Sequence, residues 1–165
     1  MTCAYPQHYL ADTEGRCVSP TCPALEDCAG DLNGLGLGPP VYVYVAGPLT
    51  GDPGDYLASV AAMAQTCRAL WRPSVVPVCP ADDLVLGLAS AEPLRVADYQ
   101  ERSLALLRLV ARAERRCLYV TGEHHRDGRP SRGVAAEIQL AMALGVPVVR
   151  TVDEVLRIAR GGRDG

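Results

Sequence analysis

The chain contains no lysine; all 16 of its basic residues are arginine. That absence excludes a Schiff-base mechanism and a phosphate-loop lysine, so any phosphate must be held by arginine, hydroxyls or backbone N–H groups. No apolar run approaches the ~18 residues that a membrane span requires, and no membrane partner is expected. Blocks of like charge are also missing. With a net charge of −3, nothing points to nucleic acid as a partner. The Gly-x-Gly-x-x-Gly order of a dinucleotide fingerprint does not occur after the first strand. A signal peptide is lacking at the N-terminus, and the expected location is cytoplasmic.

What is present divides the sequence in two. Cys3, Cys17, Cys22 and Cys28 crowd into the first 28 residues, with His8 among them. In a cytosolic protein such a cluster points to metal before disulfides. A structural zinc held by these cysteines, with Cys3 or His8 as fourth ligand, is one reading, although the spacings are looser than those of zinc ribbons. Free thiols on an irregular arm are the other. Residues 1–38, ending in the Leu-Gly-Leu-Gly-Pro-Pro stretch at 35–40, read as a Cys-rich arm and linker. Cys67, Cys79 and Cys117 stand singly further on and read as small buried hydrophobes.

Residues 39–165 read as an α/β domain. Val41–Ala46 is β-branched and aromatic, as a buried strand should be, and ends at the small-residue turn Gly47-Pro48-Leu49-Thr50-Gly51-Asp52. A helix is expected from Asp55 to Trp71, with Leu57, Val60, Ala64, Cys67 and Trp71 inward. A strand over Val75–Cys79 and an irregular connection over 80–93 follow. The next helix runs from Val96 to Arg115, with Tyr99, Ser103, Leu106 or Leu107, Val110 and Ala113 inward. Strands over 117–121 and 146–150 and a short helix over 152–160 complete the pattern. Strand and helix alternate four times. That implies a Rossmann-like or flavodoxin-like parallel sheet of four or five strands, helices on both faces, and a ligand site at the carboxyl ends of the strands.

The stretch Pro130–Pro147 supplies the chemistry. Ser131 is a good N-cap, and Gly145 with Pro147 stops the helix. Val134, Ile138, Ala141 and Met142 repeat at helical spacing, while Leu140 and Leu144 widen the apolar surface, so burial on more than one side is expected. Glu137 interrupts that surface. A desolvated carboxylate near a helix N-terminus is a nucleophile or base in waiting. Its alternative place is the exposed strip beside Gln139. In the charged loop 122–130, His124 and His125 could bind a metal, close over a base, or be solvated.

Tyr44-Val-Ala-Gly-Pro-Leu-Thr-Gly51 closing the first strand, and Ser131-x-Gly-x-x-x-Glu137 opening a later helix before Leu-Gly-Val-Pro, resemble the nucleoside 2-deoxyribosyltransferase superfamily. That superfamily includes the deoxynucleoside-monophosphate N-glycosidases. The similarity covers residues 41–150 and leaves the arm outside. It implies that Glu137 attacks the anomeric carbon and forms a glycosyl-enzyme intermediate, and that Tyr44 hydrogen-bonds this glutamate. It also implies that Gly47, Pro48 and Gly51, with Ser131, Arg132 and Gly133, hold the sugar and any 5′-phosphate. No catalytic cofactor is implied, and the expected assembly is a homodimer or higher homo-oligomer.

One departure stands out. A family helix commonly reads Asp-Tyr-Met-x-x-Asp-Leu, and its second aspartate assists the leaving base. Here the stretch is Asp98-Tyr-Gln-Glu-Arg-Ser103-Leu104. A serine cannot protonate a base at neutral pH, and general acid catalysis contributes about 10²–10⁴-fold. Asp98 and Glu101 are the nearest substitute acids in sequence. The expected function is therefore cleavage or transfer at the N-glycosidic bond of a (deoxy)nucleoside or its 5′-monophosphate. A non-catalytic nucleotide-sensing module on the same fold and an interaction protein acting through a zinc-bound arm are the alternatives.

Overall fold

The computed structural model describes residues 39–49, 53–72, 74–83 and 95–160. The cysteine-rich arm, with Cys3, His8, Cys17, Cys22 and Cys28 and the zinc expected there, lies outside the described residues, as does Gly51.

Four strands form one parallel sheet: β1 (Val41–Ala46), β2 (Val75–Val78), β3 (Arg116–Val120) and β4 (Val148–Val149), in the order β2-β1-β3-β4. In the register, Tyr44 stands beside Val78 on one side and Leu118 on the other, and Leu118 pairs onward with Val148. β1 is central, and its alternation is two-sided. Val41, Val43 and Val45 pack on one face with Met63 and Leu70 of helix α1 (Pro53–Leu70) and Val155 of helix α4 (Val152–Ala159). Tyr44 and Ala46 pack on the other with Leu107 and Val110 of helix α2 (Val96–Val110) and Val134 and Ala141 of helix α3 (Arg132–Ala143). A strand apolar at every position is what burial on both faces demands, with each buried valine or leucine contributing about 1.5–3 kcal/mol. Pro77, which cannot donate to a ladder, is tolerated because β2 is an edge strand.

Three expectations about helix faces need correction. The inward stripe of α1 is centred on Met63 and Leu70, not on Leu57 and Trp71, which are 57% and 75% exposed. Val60 and Cys67 border both candidate stripes; one residue of rotation, about 100°, moved the larger side chains outward. α2 ends at Val110 rather than Arg115, because Arg112 and Ala113 tighten into three-residue bonds to Leu109 and Val110 as the chain turns toward β3. α3 buries one side only, leaving Met142 69% exposed and Leu144 partly so.

Strand order reverses between β1 and β3. The chain runs outward from β1 to β2, then crosses to β3 and β4 on the opposite side. The crevice above the carboxyl ends of β1 and β3 is where such a sheet leaves room for a ligand. No helix among the described residues is long and apolar enough to cross a membrane.

Candidate functional site

α3 is fixed at both ends by its own sequence. The Ser131 hydroxyl accepts from the Val134 amide at the N-cap. At the other end Gly145 adopts φ +65°, its amide bonding the Met142 carbonyl at 3.1 Å while Val146 reaches the Ala141 carbonyl at 2.8 Å. That reciprocal pair is a Schellman cap, and the positive φ is why glycine stands there. With its rotation set, α3 turns Val134, Glu137 and Ala141 toward the sheet. Glu137 is 7% exposed, so it does not lie on the solvent strip beside Gln139.

The carboxylate meets Tyr44. The phenol hydroxyl donates to Glu137 Oε1 at 2.6 Å in a buried contact between β1 and the second turn of α3. Burial pushes the Glu137 carboxyl up to about 7, against the opposing pull of the Tyr44 hydrogen bond. The Tyr44 phenol is driven far above its usual value by burial and then by the Glu137 charge, so it remains a proton donor. Ser103, from α2, acts on this phenol in the opposite sense. Ser103, Tyr44 and Glu137 thus influence one another in a line.

Above this line opens a cleft of about 660 Å³. Its walls include Gly47, Ser103, Ser131, Arg132, Gly133 and Glu137, which gathers most of the residues that the sequence singles out. Tyr44 itself is fully buried beneath them. Gly47 is required by packing as well as by the opening: a Cβ there would stand 2.6 Å from Thr121 Oγ1 and 2.9 Å from Met63 Sδ. Arg132 is exposed at the start of α3, where first-turn N–H groups and the helix dipole favour an anion.

Asp98 is placed elsewhere. It is the N3 residue of the α2 capping box, receiving the Arg95 amide at 2.9 Å and the Arg95 guanidinium at 2.8 and 3.1 Å. Those bonds hold its carboxyl below the usual carboxylate range. It is absent from the walls of the cleft, as are Glu101, which is exposed, and Pro48. The loop carrying His124 and His125 closes on itself through the His125–Arg129 and Gly128–His125 backbone bonds, and among the described residues no group of three or more His, Cys, Asp or Glu is placed to hold a metal.

No sequence signal singles out Asp83. It is 6% exposed, lines the cleft, and receives Arg102 Nε at 2.7 Å on both oxygens. The connection 80–93 reads as irregular from its composition, yet Pro80–Asp82 forms a 3₁₀ turn that delivers Asp83 inward. Arg102 was legible only as one of several charges on α2. Tyr56 and Tyr99 add aromatic wall to the same cleft.

Glu137 and Asp83 are the carboxylates among the cleft's lining residues, and they differ in kind. Glu137 is desolvated, takes one hydrogen bond from a neutral phenol, and sits near its protonation midpoint at neutral pH. Asp83 is neutralised by a guanidinium. The first suits a nucleophile or base; the second suits an anionic hydrogen-bond acceptor. Comparison with known protein families, curated proteins and solved structures finds no match.

Proposed function

We propose that the protein cleaves or transfers the N-glycosidic bond of a (deoxy)nucleoside or nucleoside 5′-monophosphate, with Glu137 as nucleophile. The observation that carries this reading is the buried Tyr44–Glu137 hydrogen bond at the floor of a cleft. A carboxylate beneath an anomeric carbon stabilises the oxocarbenium-like transition state and then traps it. In that step a Glu137 oxygen forms the bond to C1′ while the C1′–N bond breaks, and the electron pair leaves with the base. Water or a second base then attacks C1′ and releases Glu137, giving hydrolysis or transfer.

The other groups have parts consistent with this reading. Tyr44 orients the attacking oxygen and keeps part of the carboxylate population ionised. Gly47 and the Ser131–Gly133 turn contact the sugar, and Arg132 with the first-turn amides of α3 receives a 5′-phosphate when one is present. The apolar wall with Tyr56 and Tyr99 suits the flat face of a base. A flavodoxin-like arrangement with the site at the strand switch point fits the same picture, as does a homo-oligomeric state.

A second reading, nucleotide binding without turnover, is favoured by three observations. Ser103 replaces the leaving-group acid, Asp98 is engaged at the helix start, and Asp83 is neutralised by Arg102. Incubation of pure protein with a panel of deoxynucleosides and their monophosphates, followed by chromatography for free base, separates the two. Base release abolished in Glu137→Gln supports the enzyme. Calorimetric binding without release supports the sensor, and absence of both refutes the nucleotide site altogether.

A further inference from the structure

Two half-buried cysteines meet outside the cleft. Cys67 lies in the last turns of α1 and Cys79 directly follows β2; both line a second surface pocket of about 600 Å³, with Arg68, Trp71 and Asp82. Both pack against the same core cluster, and each thiol shifts the titration of the other. Their spacing in sequence carries no signal. It is the packing of α1 against the β1–β2 edge that brings helix and strand thiols together.

We propose that Cys67 and Cys79 form an oxidative modification site, in which a hydroperoxide converts the thiol pair to a disulfide with Cys79 as the attacking sulfur. The Cys79 thiolate attacks one peroxide oxygen; the O–O bond breaks, the second oxygen leaves as alcohol or water after taking a proton, and Cys79 becomes a sulfenic acid. The Cys67 sulfur then attacks that sulfur. The S–S bond forms, the S–O bond breaks, and the departing hydroxide takes the Cys67 proton as water. Two thiols and one hydroperoxide yield one disulfide, one alcohol or water, and one water; sulfur is oxidised by two electrons and peroxide oxygen is reduced by two.

The order of attack follows from the surroundings. The Cys67 thiol, with the amides of Ala81 and Asp82 at the start of the 3₁₀ turn, holds Cys79 below its usual range, whereas Cys79 and burial push Cys67 up. Thiolate character and access decide which cysteine reacts, and an adjacent second thiol diverts the sulfenic acid from further oxidation. The pocket supplies the access. Cys117, by contrast, is sealed in the core. Once formed, the bond tethers to α1 the short segment that carries Pro80 and Asp83 into the cleft.

The test uses the full chain. Protein is treated with hydrogen peroxide, remaining thiols are blocked with N-ethylmaleimide, and the sample is digested without reduction by proteases cutting before Asp and after Arg. Cleavage before Asp55 and Asp82 and after Arg68, with Arg72 protected by Pro73, leaves fragments 55–68 and 69–81, which only a Cys67–Cys79 bond can join. The joined pair should be the main product and vanish on adding dithiothreitol. In Cys67→Ser the Cys79 sulfenic acid loses its resolving partner, and dimedone labelling of Cys79 should rise at least about fivefold over wild type. In Cys79→Ser, Cys67 should stay a thiol. Fragments 55–68 or 69–81 found joined instead to peptides bearing Cys3, Cys17, Cys22 or Cys28 would overturn the proposal, as would dimedone on Cys67 in preference to Cys79.

Discussion

The Tyr44 hydroxyl reaches Glu137 Oε1 at 2.6 Å across 93 residues of chain, and this contact opposes the effect of burial on the charge of a cleft carboxylate. The hydrogen bond lowers a carboxyl that burial raises to about 7. Removing it in Tyr44→Phe therefore lifts Glu137 further. A hydrogen bond to a charged group contributes about 1.5–3 kcal/mol, and 1.36 kcal/mol corresponds to one pH unit, so the ascending limb of the pH–rate profile should move up by about one to two units. A profile of kcat/KM against pH for base release reads this directly. An unmoved limb would mean that Glu137 does not control it.

The same carboxyl makes stability fall with pH. Its folded value, about 7, lies above its ordinary 4.5, so between those limits the folded protein holds a proton that the unfolded chain gives up. The contribution is fully present below 4.5 and lost as pH rises through 7, amounting to ~3 kcal/mol. Glu137→Gln keeps an oxygen for Tyr44 and removes the titration. The variant should gain up to ~3 kcal/mol on wild type at pH 8 relative to their difference at pH 4, by urea unfolding. Base release should be lost in the same variant, which places the functional and energetic effects on one side chain.

Much of this was legible beforehand, for identifiable reasons. The four strands follow from β-branched runs, and the caps of α3 follow from Ser131 and Gly145 acting within a few residues. The placement of Tyr44 and Glu137 at one sheet edge follows from alternation plus parallel topology. What escaped depends on rotation and on distant packing. Trp71 continues the helical spacing of an apolar stripe, yet it lies just past the end of α1 and is exposed. Asp83 sits in a stretch whose composition signals only a loop, and its partner Arg102 comes from another element. Asp98 matches a motif position but is spent on capping α2 with Arg95, a local competition visible only once the helix start is known.

Arg102 is predicted to be structural for Asp83. The carboxylate is 6% exposed and takes both of its 2.7 Å contacts from Arg102 Nε. Arg102→Ala leaves a buried charge without that guanidinium and should destabilise the fold by about 1–3 kcal/mol. Asp83→Asn in the Arg102→Ala background should recover part of the loss, because the uncompensated charge is gone. Equal destabilisation in the single and double variants would contradict this pairing.

Gly47→Ala tests whether the turn after β1 is governed by space. The added carbon would meet Thr121 Oγ1 at 2.6 Å and Met63 Sδ at 2.9 Å. Thr121 is held in turn by its own bond to the Ala46 carbonyl at 2.9 Å, so it yields poorly. Overpacking of this kind costs about 1–3 kcal/mol. Thermal unfolding should show the loss, and Met63→Ala in the same chain should relieve the clash with α1 while leaving that with Thr121.

Position 103 decides how the leaving base departs. Ser103 lines the cleft and acts on the phenol that Glu137 engages. A carboxyl at 103 would share Tyr44 with Glu137. Two carboxyls around one phenol in a desolvated site do not both ionise, so one carries a proton at neutral pH. That proton faces the cleft, where a departing base needs it. Ser103→Asp should then raise base release by about 10–100-fold and turn a single-limbed pH–rate profile into a bell. Ser103→Ala, which removes only the hydroxyl, serves as control and should leave the single limb in place. Asp98→Asn and Glu101→Gln should stay within about twofold of wild type, since neither carboxylate lines the cleft. The outcome that would sink this account is a loss of turnover in Asp98→Asn with no gain in Ser103→Asp. Asp98 would then have to leave Arg95 and reach the substrate, which requires breaking three hydrogen bonds at the start of α2.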